Sequence, residues 1–341
     1  MSTIRGLNLG GWLVLEKWMT PSLYQGYDAE DEFHLLQKWG KEAEQKLENH
    51  RNNFLKEEDF KWIKEYGIDT LRIPVGHWVL KAKAPYFSAK KHLDNAFKWA
   101  EKYDLKILLD VHAAPGCQNG FDNGGLSGVC EWHLYQDNID KTILFINDLC
   151  ENYKAQKSLV GIQLLNEPSV EIELKILHDF YVRGYQTVRK HLKNDKYVVF
   201  HDGFRFDEWE DFFKNNVFEN VYLDTHMYQV FSWQDQHSTV AEIIEKVSMQ
   251  RTKELNEVKQ YVDVIVGEWS LGIPDRALSE ASDSFHLETI YRAVGNSLLT
   301  SYENCSGWFF WNYKLAEDSL HLDRGWSFRR CVEMGYLPPK I

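Results

Sequence analysis

The sequence predicts an α/β fold, a single (β/α)8 TIM barrel with its active site at the C-terminal ends of the strands. Three observations carry this. Short apolar runs alternate with longer amphipathic stretches along the whole chain, without repeats, low-complexity segments or a linker, so residues 1–341 read as one domain. Eight of these runs read as strands, each followed by a helical stretch, which is the pattern of a closed parallel barrel. The competing doubly wound sheet lacks its glycine-rich turn after the first strand.

Taken in order, the first strand covers 4–9 and breaks at Gly10-Gly11, and a loop-like segment through Glu16 closes at Met19-Thr20-Pro21-Ser22. Residues 24–53 form a polar, mostly helical insertion. Asn53 is expected to cap a helix over 55–66 that stops at Gly67. Strand two, 70–74, carries Arg72 and ends at Pro74, which cannot continue a central ladder. Ser88 reads as the N-cap of a helix whose Leu93, Ala96, Phe97 and Ala100 share one buried face. Strand three, 106–111, ends at His112, and the glycine-rich segment after it, 113–125, is too long for a simple connector, so it reads as functional.

A helix over 139–153 leads to strand four, 159–166, and a helix over 171–191 leads to strand five, 197–200. Strand six covers 221–225. A helical region over 240–260 precedes strand seven, which ends at Glu268. A helix over 284–302 precedes strand eight, 307–311, and a short helix near 326–334 closes the chain.

Active sites of such barrels sit at the strand C-termini. Here those positions read Arg72, His112, Asn166 with Glu167, His226 with Tyr228, Glu268 and Trp311. Two apolar runs, ending in Leu165-Asn166-Glu167-Pro168 and Val266-Gly267-Glu268-Trp269, each stop at a carboxylate. Strands four and seven lie across the barrel mouth, so the two glutamates can face a common centre. Glycoside hydrolysis needs that arrangement: one carboxyl group donates a proton to the leaving oxygen and the other acts on the opposite side of the anomeric carbon. Arg72 would favour the ionised form of one carboxylate, and an apolar surround would raise the pKa of the other.

Composition narrows the substrate. A net charge of -12 argues against nucleic acid or an acidic membrane surface, and 13 Trp with 17 Tyr favour a ligand with flat apolar faces such as a sugar. No apolar run approaches membrane-spanning length and no signal segment opens the chain, so a cytoplasmic monomer is expected, or a secreted one if a signal has been trimmed. Five cysteines without a CxxC pair suggest neither a disulfide framework nor a zinc knuckle; at most Cys117 and Cys130 pair across one loop. His112, His201 and His226 lack ligand spacing, so neither a metal nor a cofactor is expected, and His201 is placed at the barrel rim. Trp308 and Trp326 read as core or lid. Gly124 to Gly128 is no phosphate loop, because no strand leads into it and no lysine follows.

The motifs Leu71-Arg72-Ile73-Pro74, Asp110 to Gly116, Leu165 to Pro168, His226-Met227-Tyr228, Gly267-Glu268-Trp269 and Trp311-Asn312 keep one strand order, and together they resemble glycoside hydrolase family 5. Within it, Asn8 to Trp12, Glu16, Met19 to Leu23, Gln118 to Asn123 and Tyr228 to Phe231 look most like the fungal exo-β-1,3-glucanases. The resemblance implies Glu167 as acid/base and Glu268 as nucleophile. It implies that Arg72 steadies Glu268, that Asn166 binds the sugar 2-hydroxyl, and that His112, His226 and Tyr228 hold the carboxylates and the sugar. Glu16 and Asp122 would bind substrate, Trp311 would be a stacking floor, and Phe121 with Phe231 an entrance clamp, unless those two rings are loop anchors packed on each other.

The family's fungal enzymes are secreted and disulfide-bonded, whereas this chain shows neither a signal nor the same bridges, and residues 314–324 match them only loosely. The expected activity is release of glucose from the non-reducing end of β-1,3-glucans or related β-glucosides. The alternatives are an endo-acting β-1,4-glucanase, a β-glucosidase acting on small aglycones, and a non-catalytic sugar-binding barrel. The last would be expected to have lost one of the two glutamates.

Overall fold

The computed structural model describes residues 3–316 and 324–340. Eight parallel strands close into a barrel in chain order: β1 (Ile4–Asn8), β2 (Thr70–Gly76), β3 (Lys106–Ala113), β4 (Leu159–Gln163), β5 (Tyr197–His201), β6 (Val221–His226), β7 (Asp263–Trp269) and β8 (Gly307–Phe310), with β8 pairing back to β1. Helices follow each strand from β2 onward, and the expected helix over 284–302 is present as Ser284–Tyr302. Among the described residues no helix is long and apolar enough to cross a membrane.

Inward positions alternate with a period of two, which stacks the barrel interior in layers. The lower layer is apolar: Leu108, Val199, Tyr222, Ile265 and Phe309 pack together. Gly6 makes room for it, since a Cβ there would lie 2.1 Å from the Phe309 ring. Two residues further up, the same columns become polar, with Asp110 above Leu108 and Asp224 above Tyr222, both fully buried. One more step reaches His112 and His226. The layer above the apolar plug is therefore a buried polar floor under the mouth.

Three local expectations are corrected. Asn53 lies inside the helix Ala43–Phe54, and the next helix, Glu57–Glu65, begins where the Asp59 carboxylate accepts from the Lys56 N–H (2.9 Å). The N-cap of the helix Lys90–Lys102 is Ala89 rather than Ser88, whose hydroxyl turns back to donate to the Val79 carbonyl. Strand β2 runs through Pro74 to Gly76. Arg72 accepts from the Leu9 N–H on the β1 side, Pro74 faces that side too, and the β1 ladder ends at Asn8 paired with Arg72, so no donor is missed.

The insertion is helical as expected, with Glu32–Trp39 and Ala43–Phe54 as its main elements. The region 240–260 is helical but widens to a π-helical turn at Lys246–Arg251. Cys117 and Cys130 are not bridged to each other. Part of the loosely matching stretch 314–324, residues 317–323, lies outside the described residues.

Candidate active site

The floor is organised around Arg72, whose side chain is wholly buried. Its guanidinium has five N–H donors in a fixed fork, and the floor uses both faces of that fork. Nη1 donates to Glu268 Oε1 (3.0 Å) and Asn8 Oδ1 (2.8 Å), Nε to Gln163 Oε1 (2.8 Å), and Nη2 to Asn166 Oδ1 (2.7 Å), with Asp110 Oδ2 3.1 Å away. Burial works against this cation, but Asp110, Glu268 and Asp224 hold its pKa above the usual arginine range.

Columns β3 and β6 each carry an Asp-x-His pair, Asp110 with His112 and Asp224 with His226. Residues two apart share a face of a strand, so each carboxylate reaches the imidazole above it. His112 Nδ1 lies 2.6 Å from Asp110 Oδ2, and His226 Nε2 lies 3.3 Å from Asp224 Oδ2. The other nitrogen of His226 bridges the two glutamates: Nδ1 is 2.7 Å from Glu167 Oε1 and 3.4 Å from Glu268 Oε2. Glu167 Oε2 accepts from Asn123 Nδ2 (2.8 Å), and Glu268 Oε2 accepts from the Tyr228 hydroxyl (2.7 Å). Glu167 itself sits at φ +40°, a sparsely populated conformation for a non-glycine residue.

Electrostatics distribute unequally over the pair. Burial alone would raise Glu167, but the hydrogen bond and charge of His226 bring it down to about 2. Burial raises Glu268, and the neighbouring Glu167 charge adds to it against the pull of His226 and Arg72. His226, despite its own burial, is held well above the usual imidazole range by Glu268, Asp224 and Glu167. These directions favour the protonated form of His226, whose Nδ1 lies one short hydrogen bond from Glu167. The expected division, with Arg72 keeping one carboxylate ionised and an apolar surround raising the other, is crossed here: burial raises Glu268, the carboxylate that Arg72 holds, and His226 lowers Glu167.

Around this centre the rim carries the remaining expected groups. Glu16 Oε2 accepts from Trp18 Nε1 (2.9 Å), while Oε1 is buried without a partner among the described residues. Burial and the charge of Asp122 hold Glu16 well above the usual carboxylate range, and burial raises Asp122 as well. His112 Nε2 and Asn166 Nδ2 are likewise buried without a partner among the described residues. Trp311 is coplanar with the His112 imidazole (5°, centroids 5.6 Å apart), and its indole covers Gly10, where a Cβ would lie 2.6 Å from the ring. Several hydrogen-bonding atoms without protein partners, beside a flat indole, form the complement of a polyhydroxylated ring.

Phe121 and Phe231 are both largely exposed at the mouth, and they are not packed on each other. Phe231 meets Tyr228 (5.2 Å) and Trp326 (6.0 Å), and Phe121 makes no ring contact among the described residues. Trp326 also meets Trp18 (5.5 Å), which places it on the rim, while Trp308 is core.

His201 is corrected from the rim to the interior. It is fully buried, with its ring edge-on to His226 at 4.5 Å. Donor atoms of Glu167, His201 and His226 lie within 4.8 Å of one another, close enough to ask whether they hold a metal. The donor chemistry does not fit one. His201 Nδ1 accepts the Gly203 N–H (2.9 Å), which leaves the ring hydrogen on Nε2, and both nitrogens of His226 are committed to carboxylates.

Sequence reasoning did not single out Asp224, Gln163 or Trp18, and it assigned no role to Asp110, Asn8 or Asn123, which it read only as parts of motifs. For the two aspartates a signal was present: Asp-x-His occurs at the ends of two strands, Asp110-Val111-His112 and Asp224-Thr225-His226.

Residues 35–316 match the profile of cellulases, glycosyl hydrolase family 5. Among curated proteins the chain is 39% identical to a probable glucan 1,3-beta-glucosidase A of Emericella nidulans, over 99% of this chain and 90% of that protein. It is 32% identical to a glucan 1,3-beta-glucosidase of Schwanniomyces occidentalis, over 98% and 87%. Among solved structures, the rutinosidase of Aspergillus niger superposes with a TM-score of 0.82 at 18% identity, over 98% of each chain, and so shares the fold.

Proposed function

The chain belongs to glycosyl hydrolase family 5, and from that premise we propose that it is a retaining, exo-acting β-glucosidase that releases glucose from the non-reducing end of β-1,3-glucans or related β-glucosides. The observation that carries the retaining reading is the position of His226 Nδ1, 2.7 Å from one glutamate oxygen and 3.4 Å from the other. Those two oxygens are therefore at most about 6 Å apart, which favours the separation of roughly 5–5.5 Å in retaining enzymes over the roughly 6.5–9.5 Å of inverting ones.

In this reading Glu268, held by Arg72 and Tyr228, attacks the anomeric carbon. The glycosidic C–O bond breaks, and the leaving oxygen takes the proton that Glu167 receives from His226. Water then attacks the anomeric carbon from the side of Glu167, which takes a proton from it and passes that proton back to His226, while the bond between the anomeric carbon and Glu268 breaks; the sugar is released with its β configuration retained and the starting protonation is restored. The exo reading is supported by the contact of the insertion with the loop after β3, beside Glu16. There the buried Glu16 pairs in a β-bridge with Asp31 of the insertion, and Asp31 Oδ2 accepts from the Ser127 N–H (2.8 Å) of the loop after β3. The β-1,3 linkage rests on the names of the relatives.

The pKa directions favour a second reading with the roles exchanged, since Glu268 is the raised carboxyl and Glu167 the lowered one. Azide separates the two. With an activated β-glucoside, Glu268→Gly is expected to yield the α-glucosyl azide and Glu167→Ala the β-glucosyl azide; the exchanged products reverse the assignment. Laminari-oligosaccharides test the rest. Glucose as the sole early product, first formed as the β-anomer by NMR, is expected; internal cleavage or an α-anomer first product overturns it.

A further inference from the structure

We propose that Asp224 is a positioning residue that couples the two catalytic carboxylates, holding the nucleophile's strand with one oxygen and the His226 imidazole with the other. The inference rests on the roles assigned above to Glu167 and Glu268.

Asp224 is fully buried between β5 and β7 and touches neither the mouth nor bulk water. Its Oδ1 accepts from the Gly267 N–H at 2.6 Å, the residue immediately before Glu268. Position 267 is glycine because of this contact: a Cβ there would lie 2.2 Å from Asp224 Oδ1. Asp224 Oδ2 accepts from Gln163 Nε2 (2.8 Å), and Gln163 Oε1 accepts from Arg72 Nε (2.8 Å), whose Nη1 holds Glu268. The nucleophile is thus addressed twice, through its backbone and through the arginine. The same Oδ2 lies 3.3 Å from His226 Nε2, and the far side of that ring meets Glu167.

The charge matters as well as the shape. The groups facing His226 are Asp224 on its own strand, Glu167 from the end of β4, Glu268 from β7 and His201 from β5. His201 is neutral: burial and the charge of His226 lower its pKa to about 3. Both glutamates lie on the Nδ1 side, which leaves Asp224 as the anion at Nε2. Its charge keeps the ring loaded, so that the proton is available to Glu167 when the leaving oxygen needs it.

Asp224→Asn keeps the volume and an oxygen for the Gly267 N–H but removes the charge. The shared proton then becomes more acidic and is lost at lower pH. We expect the alkaline limb of kcat/KM to move acid-ward by about one pH unit or more, and hydrolysis of a poor-leaving-group β-glucoside to fall by roughly 10–10²-fold while an activated aryl glucoside changes only a few-fold. A uniform fall at all pH values with no limb shift and no leaving-group dependence would reduce Asp224 to a structural residue.

A measurement on the unaltered enzyme covers the case in which the variant does not fold. In 15N-histidine NMR, His226 is expected to stay protonated on Nε2 from pH 5 to 8; a bare Nε2 in that range overturns the coupling. Glu167→Ala separates this inference from its premise. If that variant lacks the leaving-group signature, the acid assignment itself falls. If it has the signature and Asp224→Asn does not, only the role of Asp224 falls.

Discussion

The floor and the rim of the mouth are built by different means. Floor residues come from β1 to β7 at positions fixed by the two-residue repeat of a strand, and Arg72, Asp110, Asp224 and Glu268 each meet partners on other strands. Rim residues come from segments between strands, the insertion and the loop after β3, which reach the pocket by contacting each other. Asp31 holds that junction: it caps its own helix through the His34 N–H (2.8 Å), accepts from Ser127 N–H (2.8 Å) and bridges to Glu16. The difference assigns chemistry to the floor and substrate length to the rim.

The sharpest way to break that division is at its most connected residue. Arg72→Lys keeps a charge but replaces a five-donor fork with a point donor, leaving the amide oxygen of Asn8, Gln163 or Asn166 without its donor. Loss of kcat/KM by about 10²-fold or more is expected on every substrate, short or long, because floor chemistry is common to all. Loss confined to long oligosaccharides would put Arg72 among the rim functions. A stability cost of roughly 3–5 kcal/mol, read from denaturant unfolding, should accompany it if the buried carboxylates are left uncompensated.

How much of this was legible in sequence follows the same line. Glu167, Glu268, Arg72, His112, His226 and Trp311 could be read because each ends or interrupts an apolar run, and strand periodicity then fixes where it points. Gln163 and Asn8 could not, since a polar residue near a strand end carries no mark of whether it turns inward. Pro74 was misread because its tolerance depends on where the β1 ladder stops, a fact about the neighbouring strand. The rim was legible only as polar or glycine-rich segments. That Asp31 meets Ser127, nearly a hundred positions away, is a long-range contact with no local signature.

Asp31→Ala is the corresponding test on the rim. It removes a helix cap, at a cost of about 0.5–2 kcal/mol, and releases the loop that carries Asn123 and Phe121. KM for laminari-oligosaccharides should rise about tenfold, equivalent to roughly 1.4 kcal/mol of lost binding, with kcat on an activated aryl glucoside nearly unchanged. Appearance of oligomers beside glucose would extend the rim's role to exo action. An equal fall in kcat on both substrates would contradict the division.

A smaller, pH-dependent effect belongs to Glu32, next to Asp31. Its carboxylate is fully buried, accepts from the Leu15 N–H (2.9 Å) and lies 3.8 Å from Arg51; burial outweighs that cation and raises its pKa to about 7. The folded protein therefore binds more protons than the unfolded chain between the ordinary glutamate value and about 7, so stability falls as pH rises through that window. Thermal unfolding should show Tm declining from pH 5 to 8, with a flatter profile in Glu32→Gln. Hydrogen exchange should locate the loosening in 10–16 and the insertion, with the barrel strands unaffected.

Phe121 tests the outermost layer, where the smallest effect is expected. Its ring is 57% exposed and makes no aromatic contact among the described residues, so the folded protein gains little from it, and truncation should leave Tm unchanged. Two residues along the chain, Asn123 reaches Glu167, and under the proposed acid role of Glu167 the ring is expected on the leaving-group side. A sugar or aglycone stacked there gains about 0.5–1.5 kcal/mol, so Phe121→Ala should raise KM roughly 2–12-fold for substrates long enough to reach it. A substrate with only a methyl aglycone should be indifferent. An effect of equal size on methyl β-glucoside would mean that Phe121 shapes the glucose pocket itself, and the boundary between floor and rim would then have to be drawn further out.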